Sequence, residues 1–475
     1  MSLDFTDNEL ENYLRKTSEI IQEIYADKLN RSVFAGVTPA DIQAVFNDEL
    51  PELDGDMEEI LEKVRRDVVG AATMNIGPRY YGYITGGGNQ VAILADMIST
   101  ALNQNSLKWH SSPISTEMEK LVIKWVCQFI GYPDTSAGAI LDGGSTANFN
   151  CLAVARKNMA PDHISEEGLY GQKPMTIYVS KEGHSSFDKA VDMLGIGKKY
   201  LRKIDTDSQF SIDPVKLEKK IVEDKNRGLQ PICVIGIAGT TNTGAIDDLN
   251  AIAEIAKRHE LWYHIDAAYG GPAAALSSVK ELFNGMDRGD SAVVNPHKWL
   301  YVPFEAACIL VKDADKLRKT FSTIPDYLKS DDSNNGRTDL MEYQLPLTKS
   351  FKSLKVWMTL KAFGAKRLRK TIQVDIDNAQ YLAQLVDHSP RFERMAPVPL
   401  SITCFRCLSS SRSEADTERL NRKLIKAIEQ DGRIFLTGTQ IDGKTALRTC
   451  FINPRTTRKD VERIPRVILD LADRL

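Results

Sequence analysis

Residues 232–311 hold the pattern that decides the fold: ICVIGIAG (232–239), LWYHID (261–266), SAVVN (291–295) and AACILV (306–311). Two runs of the same kind, AGAILD (137–142) and MTIYVS (175–180), come before them. Each is short and almost wholly apolar, and helix-patterned stretches separate them. Strands that are apolar on both faces must be covered on both, and helices between consecutive strands make the connections crossovers. The expectation is an α/β fold built on a mostly parallel sheet covered by helices.

Ligands of such sheets bind beyond the carboxyl ends of the strands, so the residues after each run carry the most weight. AGAILD is followed by Gly143, Gly144, Ser145 and Thr146. Bare backbone, hydroxyls and a helix N-terminus there suit a phosphate, although alone they also make a tight strand-to-helix turn. MTIYVSKEG is followed by His184, placed to stack on a planar ligand or to sit as an ordinary loop histidine. ICVIGIAG is followed by Thr240 and Thr241, which either orient a cofactor or cap a β-turn. LWYHI ends in Asp266, a carboxylate whose burial calls for a cationic partner. SAVV is followed by Asn295, Pro296, His297 and Lys298. A buried amine is costly to keep charged and becomes available as a nucleophile or imine former, whereas a lysine reaching solvent does not.

A phosphate cradle, a stacking ring, an orienting hydroxyl, a carboxylate and a lysine are together what pyridoxal 5'-phosphate requires. On this reading Lys298 binds the aldehyde as an imine, Asp266 keeps the pyridine nitrogen protonated, and His184 packs on the ring. Gly144, Ser145 and Asn295 hold the phosphate. G-x-G-x-x-G does not occur, which removes the main support for a dinucleotide.

Outward from this core, residues 1 to about 70 show apolar positions at helical spacing, as in Leu10, Tyr13, Leu14 and Ile20 and again in Met57, Ile60, Leu61 and Val64. Pro39 and Pro51 punctuate them, and IGPRYYGYITGGG (76–88) breaks the pattern. Thr116 and Glu119 form a candidate capping box before the stripe Met118, Leu121, Val122, Trp125, Val126 and Phe129. GAKRLRKTIQ (364–373) begins a further helical region; FERMAPVPLSITCFRCL (392–408) and TALRTCFINP (445–454) read as strands of a smaller α+β domain. KSDDSNNGRTD (329–339) reads as a loop. The expected division is an N-terminal helical segment over 1–88, a large α/β domain over 89–366 and a small C-terminal domain over 367–475.

In 475 residues, 61 Lys and Arg stand against 64 Asp and Glu, a net charge of -3 that is too even to favour nucleic acid. With 42% hydrophobic and 26% charged residues the composition is globular, and no apolar run reaches the roughly 18 residues of a membrane span. The acidic, amphipathic start MSLDFTDNELENYLRK is unlike a secretory signal, so a cytoplasmic location is expected. Cys404 and Cys407 form a lone C-x-x-C, read as core thiols rather than as a metal site.

HIDAAYGG (264–271) and NPHKWL (295–300), with GHSSFDKA (183–190) and QLPLTKSFKSLKVW (344–357), resemble in order and kind the group II pyridoxal phosphate-dependent amino acid decarboxylases. That family includes aromatic L-amino acid, histidine and glutamate decarboxylases. The resemblance covers nearly the whole chain and implies fold type I architecture with a seven-stranded-type sheet. It makes Lys298 the Schiff-base lysine, Asp266 the pyridinium partner, Ala268 a ring contact, His184 the stacking imidazole, and Thr241 and His297 close neighbours of the cofactor. Tyr327, in IPDYLKS, falls where these decarboxylases carry a mobile-loop tyrosine that reprotonates the reacting carbon. With Tyr327 and His184 both present, the resemblance implies an amine product rather than the aldehyde that some members make. It also implies a homodimer with N-terminal helices wrapped over the partner.

The substrate-binding candidates Ile84, Thr85, His297 and Thr348 come from the same resemblance; Tyr83, with Tyr80 and Tyr81, offers either a pocket for a flat side chain or dimer-interface packing. Asn75, Ile84, Thr85 and Gly86 differ from the aromatic and small polar side chains of relatives acting on aromatic amino acids. Thr348 stands where members carry Gly or Ser, and Lys349 and Ser350 replace the usual paired arginines. An aromatic L-amino acid (tyrosine, tryptophan, phenylalanine or DOPA type) is the expected substrate. An acidic or aliphatic one (glutamate, diaminobutyrate), an aldehyde synthase or aminotransferase reaction, and a binding protein without turnover are the alternatives.

Overall fold

All six apolar runs are strands in the computed structural model, which describes residues 3–322 and 336–475. In chain order the large sheet contains β1 (Ala137–Leu141), β2 (Met175–Ser180), β3 (Leu201–Ile204), β4 (Gln230–Ile237), β5 (Trp262–Asp266), β6 (Ser291–Val294) and β7 (Ala307–Val311). Across the sheet the order is β1-β7-β6-β5-β4-β2-β3. Neighbours from β6 to β3 run parallel, and β7 is antiparallel to both β1 and β6. The mostly parallel α/β architecture expected from the sequence is the one observed. β3, LRKI, escapes the apolar pattern because it is an edge strand that leaves Arg202 and Lys203 partly or fully outside the core.

Alternate residues of each strand serve opposite layers. Ile177, Val179, Cys233, Ile235, Ile237, Val293 and Ile309 pack with Cys151 and Leu152 of the helix Gly144–Met159. Val234, Ile265, Ala292, Val294 and Leu310 pack with Val122 and Val126 of the helix Pro113–Ile130 and with Ile252 of the helix Leu249–His259. This two-sided burial is why the strands are apolar throughout. At roughly 1.5–3 kcal/mol for each fully buried aliphatic side chain, it also makes the sheet the rigid base of the molecule. The ends of β4 and β5 lie side by side, with Ile237 opposite Asp266, and Asp266 pairs with Val293 of β6, so the loops that leave all three strands start from one place.

A second, antiparallel sheet holds β8 (Phe392–Arg394), β9 (Ile402–Cys407), β10 (Thr437–Ile441) and β11 (Lys444–Cys450), in the order β10-β11-β9-β8. Its own core contains Phe405, Leu424, Leu447, Phe451, Ile464 and Ile468. The segment GTQIDGKT (438–445) has the spacing of a nucleotide-binding loop, but it is a hairpin of β10 and β11 rather than a turn that opens a helix.

Two local expectations change. The helical region expected from 364 begins at Ser353, and Gly364, at φ 67 and ψ 155, interrupts a helix that runs to Asp387. The capping box at Thr116 and Glu119 does not form. The helix starts earlier, with Pro113 in its first turn after Ser112, and Thr116 Oγ1 donates back to the Ser112 carbonyl at 3.1 Å. Glu119 turns inward instead. It accepts from the Ile140 amide and from Lys349 Nζ, each at 2.8 Å.

The N-terminal helices Asp7–Asp27, Pro39–Val45 and Met57–Lys63 contain no buried residue. All seven cysteines, Cys404 and Cys407 included, are buried free thiols. Among the described residues no helix is long and apolar enough to cross a membrane. Tyr327 and most of the polar stretch after it lie outside the described residues.

Candidate active site

At the carboxyl ends of β4, β5 and β6 is a cavity of about 180 Å³. Its wall includes each of the nine residues expected to bind a cofactor: Gly144, Ser145, His184, Thr241, Asp266, Ala268, Asn295, His297 and Lys298. The sheet brings together five separate stretches of sequence because each comes directly after a strand that ends there or packs beside one.

Gly144 and Ser145 open the helix Gly144–Met159, whose first amides point free of intrahelical partners. A Cβ on Gly144 would lie 2.7 Å from Asn295 Nδ2, so only glycine allows this approach. Asn295 is buried, and neither Nδ2 nor Oδ1 of its amide has a hydrogen-bond partner in the protein. An orphaned buried amide beside a bare helix N-terminus is a site for an anion with oxygen acceptors.

Burial holds the Lys298 amine below its ordinary pKa, and the nearby Asp266 carboxylate opposes that shift. Asp266 Oδ1 accepts from the Ala268 amide at 3.2 Å, which fixes one edge of the carboxylate. His184 opens onto the cavity, yet the surrounding protein desolvates it and lowers its pKa, against the pull of Asp266. Its Nδ1 accepts from the Ser186 amide at 3.1 Å, leaving Nε2 as the protonated nitrogen of the neutral ring. His297 is more strongly affected: burial, reinforced by Lys298, takes its pKa down to about 3. It accepts at Nδ1 from the Ala306 amide at 3.1 Å, and its ring lies 5.0 Å from that of the exposed Phe304.

The substrate-binding candidates are more scattered. The segment carrying Ile84 and Thr85 does abut the site, because a Cβ on Gly86 would collide with the carbonyl oxygens of Lys298 and His297. Tyr83 is exposed, with its ring 6.2 Å from Phe435, and does not line the cavity. Thr348 is exposed and is also absent from the cavity wall. Sequence reasoning passed over Asn148, Glu182 and Gly239, all of which line it. Asn148 had a readable signal, four residues into the helix that follows the glycine pair. Glu182 had none, since its place is fixed by a hydrogen bond from Asn242 Nδ2 at 3.1 Å.

A pyridoxal-dependent decarboxylase conserved domain matches residues 39–408. The chain belongs to that family. It is 32% identical over 430 residues to an aromatic-L-amino-acid decarboxylase of Bacillus atrophaeus, covering 90% of this chain and 88% of the relative. It is 30% identical to a phenylacetaldehyde synthase of Petunia hybrida, covering 93% and 90%. Among solved structures it resembles the Oryza sativa TDC with PLP and tryptamine, with a TM-score of 0.94, 27% identity, and coverage of 100% of this chain and 99% of that one.

The protein is therefore a pyridoxal phosphate-dependent amino acid decarboxylase, and the cavity fits its cofactor. The unpaired amide of Asn295 and the bare cradle at Gly144 match a phosphate, and Lys298 and Asp266 line the same cavity with the amine and the carboxylate that an aldehyde and a basic ring nitrogen need.

Proposed function

We propose that this decarboxylase acts on an aromatic L-amino acid, releasing carbon dioxide and the corresponding amine. The observation that carries the reading is the convergence of Lys298, Asp266, His184 and the orphaned Asn295 on one cavity, with aromatic rings at its approach. Phe304 stands exposed against His297, and Tyr80, Tyr83 and Phe435 form a cluster beside the 84–88 segment. Flat apolar side chains find complementary surface there, whereas a carboxylate side chain would meet Glu182 in the cavity wall.

When bound, the cofactor supplies an electron sink for the pair left by the departing carboxylate. The residues of this chain do the rest. Gly144, Ser145 and Asn295 would hold the phosphate; Asp266 would hold a proton on the ring nitrogen; His184, Ala268, Thr241 and His297 would contact the ring. The Lys298 amine, whose pKa burial lowers against the pull of Asp266, would carry the covalent attachment. Tyr327 returns the proton to the reacting carbon, and Ile84, Thr85 and His297 contact the substrate.

The proposed units are 1–88, 89–366 and 367–475; the core of Phe405, Leu424, Leu447 and Ile468 supports the last of them, and Gly364 lies near its boundary. A homodimer is supported by an exposed apolar face on the helix Gln90–Leu102, where Leu94, Met97, Ile98 and Leu102 lie open. Seven buried free thiols agree with a reducing, cytoplasmic setting.

The test is incubation with tyrosine, tryptophan, phenylalanine, DOPA, glutamate and diaminobutyrate plus cofactor, with products identified by mass spectrometry. Amines from the aromatic set are expected, without aldehyde, ammonia or peroxide. An amine from glutamate or diaminobutyrate alone would overturn the substrate class, and stoichiometric aldehyde would assign the chain to the synthase branch.

A further inference from the structure

Asp266 is the acceptor end of a line of hydrogen bonds running through the interior beneath the cavity. Trp262, His264 and Asp266 alternate along β5 and so share one face, the one covered by the helix Gly144–Met159. Trp262 Nε1 donates to Ser291 Oγ at 2.9 Å. Ser291 Oγ lies 2.9 Å from His264 Nδ1, His264 Nε2 lies 3.2 Å from Asn148 Oδ1, and Asn148 Nδ2 reaches Asp266 Oδ2 at 3.4 Å and Ser186 Oγ at 3.2 Å. All of these side chains are buried.

The two ends fix the direction of the whole line. An indole nitrogen only donates and a carboxylate only accepts. Trp262 therefore gives its proton to Ser291, Ser291 gives its own to His264 Nδ1, His264 carries its proton on Nε2 and gives it to Asn148 Oδ1, and the Asn148 N–H faces Asp266. Reversing the Asn148 amide would set its oxygen against a carboxylate oxygen. Burial supports the neutral ring that this pattern requires, taking the His264 pKa down to about 4. The other ionisable groups around Asp266 are Lys298 after β6, His184 after β2 and Cys151 on the covering helix.

We infer that Asn148, His264 and Ser291 are positioning residues that keep the Asp266 carboxylate charged and aimed into the cavity. The inference rests on the reading of Asp266 as the partner of the cofactor's ring nitrogen. It assigns Asn148, the member nearest the cavity, a polarity as well as a shape.

Two readouts test it. In the cofactor-free protein, ¹⁵N NMR should show His264 as the Nε2–H tautomer, unchanged across about pH 5–9; an Nδ1–H ring or a titration in that range would overturn the inference. In the holoenzyme, visible absorption of the bound cofactor is followed against pH. Asn148→Asp keeps the shape but turns the facing donor into an acceptor, and should move the acid limb up by about one pH unit, the scale of one charge-assisted hydrogen bond. Asn148→Leu should move it less. A role in packing alone reverses that order, because Asp matches Asn in volume and Leu does not. Asp266→Asn separates the two levels of argument. If it too leaves spectrum and turnover unchanged, the reading of Asp266 fails; if it abolishes them while Asn148→Asp titrates like the native enzyme, only the relay fails.

Discussion

Lys349→Met should cost about 3–5 kcal/mol of stability, because it strands a buried negative charge. Lys349 and Glu119 are 3% and 1% exposed, and their atoms lie 2.8 Å apart. All three ammonium hydrogens have acceptors, the others being the Ile140 carbonyl at 2.7 Å and Gln344 Oε1 at 2.8 Å. Methionine matches the length of lysine but donates nothing, so Glu119 would keep the Ile140 amide as a donor and lose its cation. The stranded carboxylate escapes by taking up a proton. At pH 7 that costs about 3.7 kcal/mol for a glutamate of ordinary acidity, which sets the scale of the loss; at pH 5 the same step costs only about 1 kcal/mol.

Set against a total stability of roughly 5–15 kcal/mol, the loss at pH 7 is large. Urea unfolding of the cofactor-free protein, followed by tryptophan fluorescence and circular dichroism at pH 7 and pH 5, measures it. Glu119→Gln combined with Lys349→Met removes the charge and should recover about 2 kcal/mol at pH 7. A loss below about 1 kcal/mol in the single variant, equal losses at both pH values, or a double variant no better than the single one would refute the reasoning.

Other substitutions probe the site directly. Lys298→Ala should abolish both turnover and the visible imine absorption of added cofactor, while circular dichroism of the fold is unchanged. Gly144→Ala, whose methyl would press on Asn295 Nδ2 at 2.7 Å, should weaken cofactor binding about tenfold in a fluorescence titration, with a thermal midpoint near that of the native protein. Asn295→Leu should leave the cofactor-free protein as stable or slightly more so, since two unpaired polar atoms are removed, yet reduce cofactor affinity at least about tenfold. His264→Gln tests linkage. The ring has a folded pKa of about 4, below the unfolded 6.5, so the stability it contributes is present above pH 6.5 and is lost as pH falls toward 4. Over that window native stability should fall about 1.4 kcal/mol per pH unit more steeply than that of the variant.

Strand ends were legible because two-sided burial writes itself as an apolar run, and the first polar residue after such a run marks where the sheet stops. His184, Asp266 and Lys298 were therefore found without knowing how the chain folds. Edge position hid β3 and β10, whose outward residues are polar. Glu119 shows a different limit. Its spacing from Thr116 satisfies a local helix-capping pattern, but the Lys349 amine, 230 positions later in the chain, is the stronger partner inside the protein. Local spacing cannot register such competition. Thr348 shows a third limit, because its candidacy came from likeness alone and it does not line the cavity.

The buried polar groups divide into two kinds with opposite consequences for the empty and loaded protein. Glu119 with Lys349, and the line from Trp262 to Asp266, are satisfied by protein atoms and hold the sheet end in place whether or not a ligand is bound. Asn295 has no protein partner, and burial lowers the Lys298 pKa, so both gain from the groups the cofactor brings. A ligand that binds only the folded state stabilises it by about 2.7 kcal/mol at a hundredfold excess over its dissociation constant. Changes at Asn295 should thus separate stability from affinity, and changes at Lys349 should lower both. That difference arises from where the hydrogen-bond partners lie, and it distinguishes a frame built in advance from a cradle completed by its cofactor.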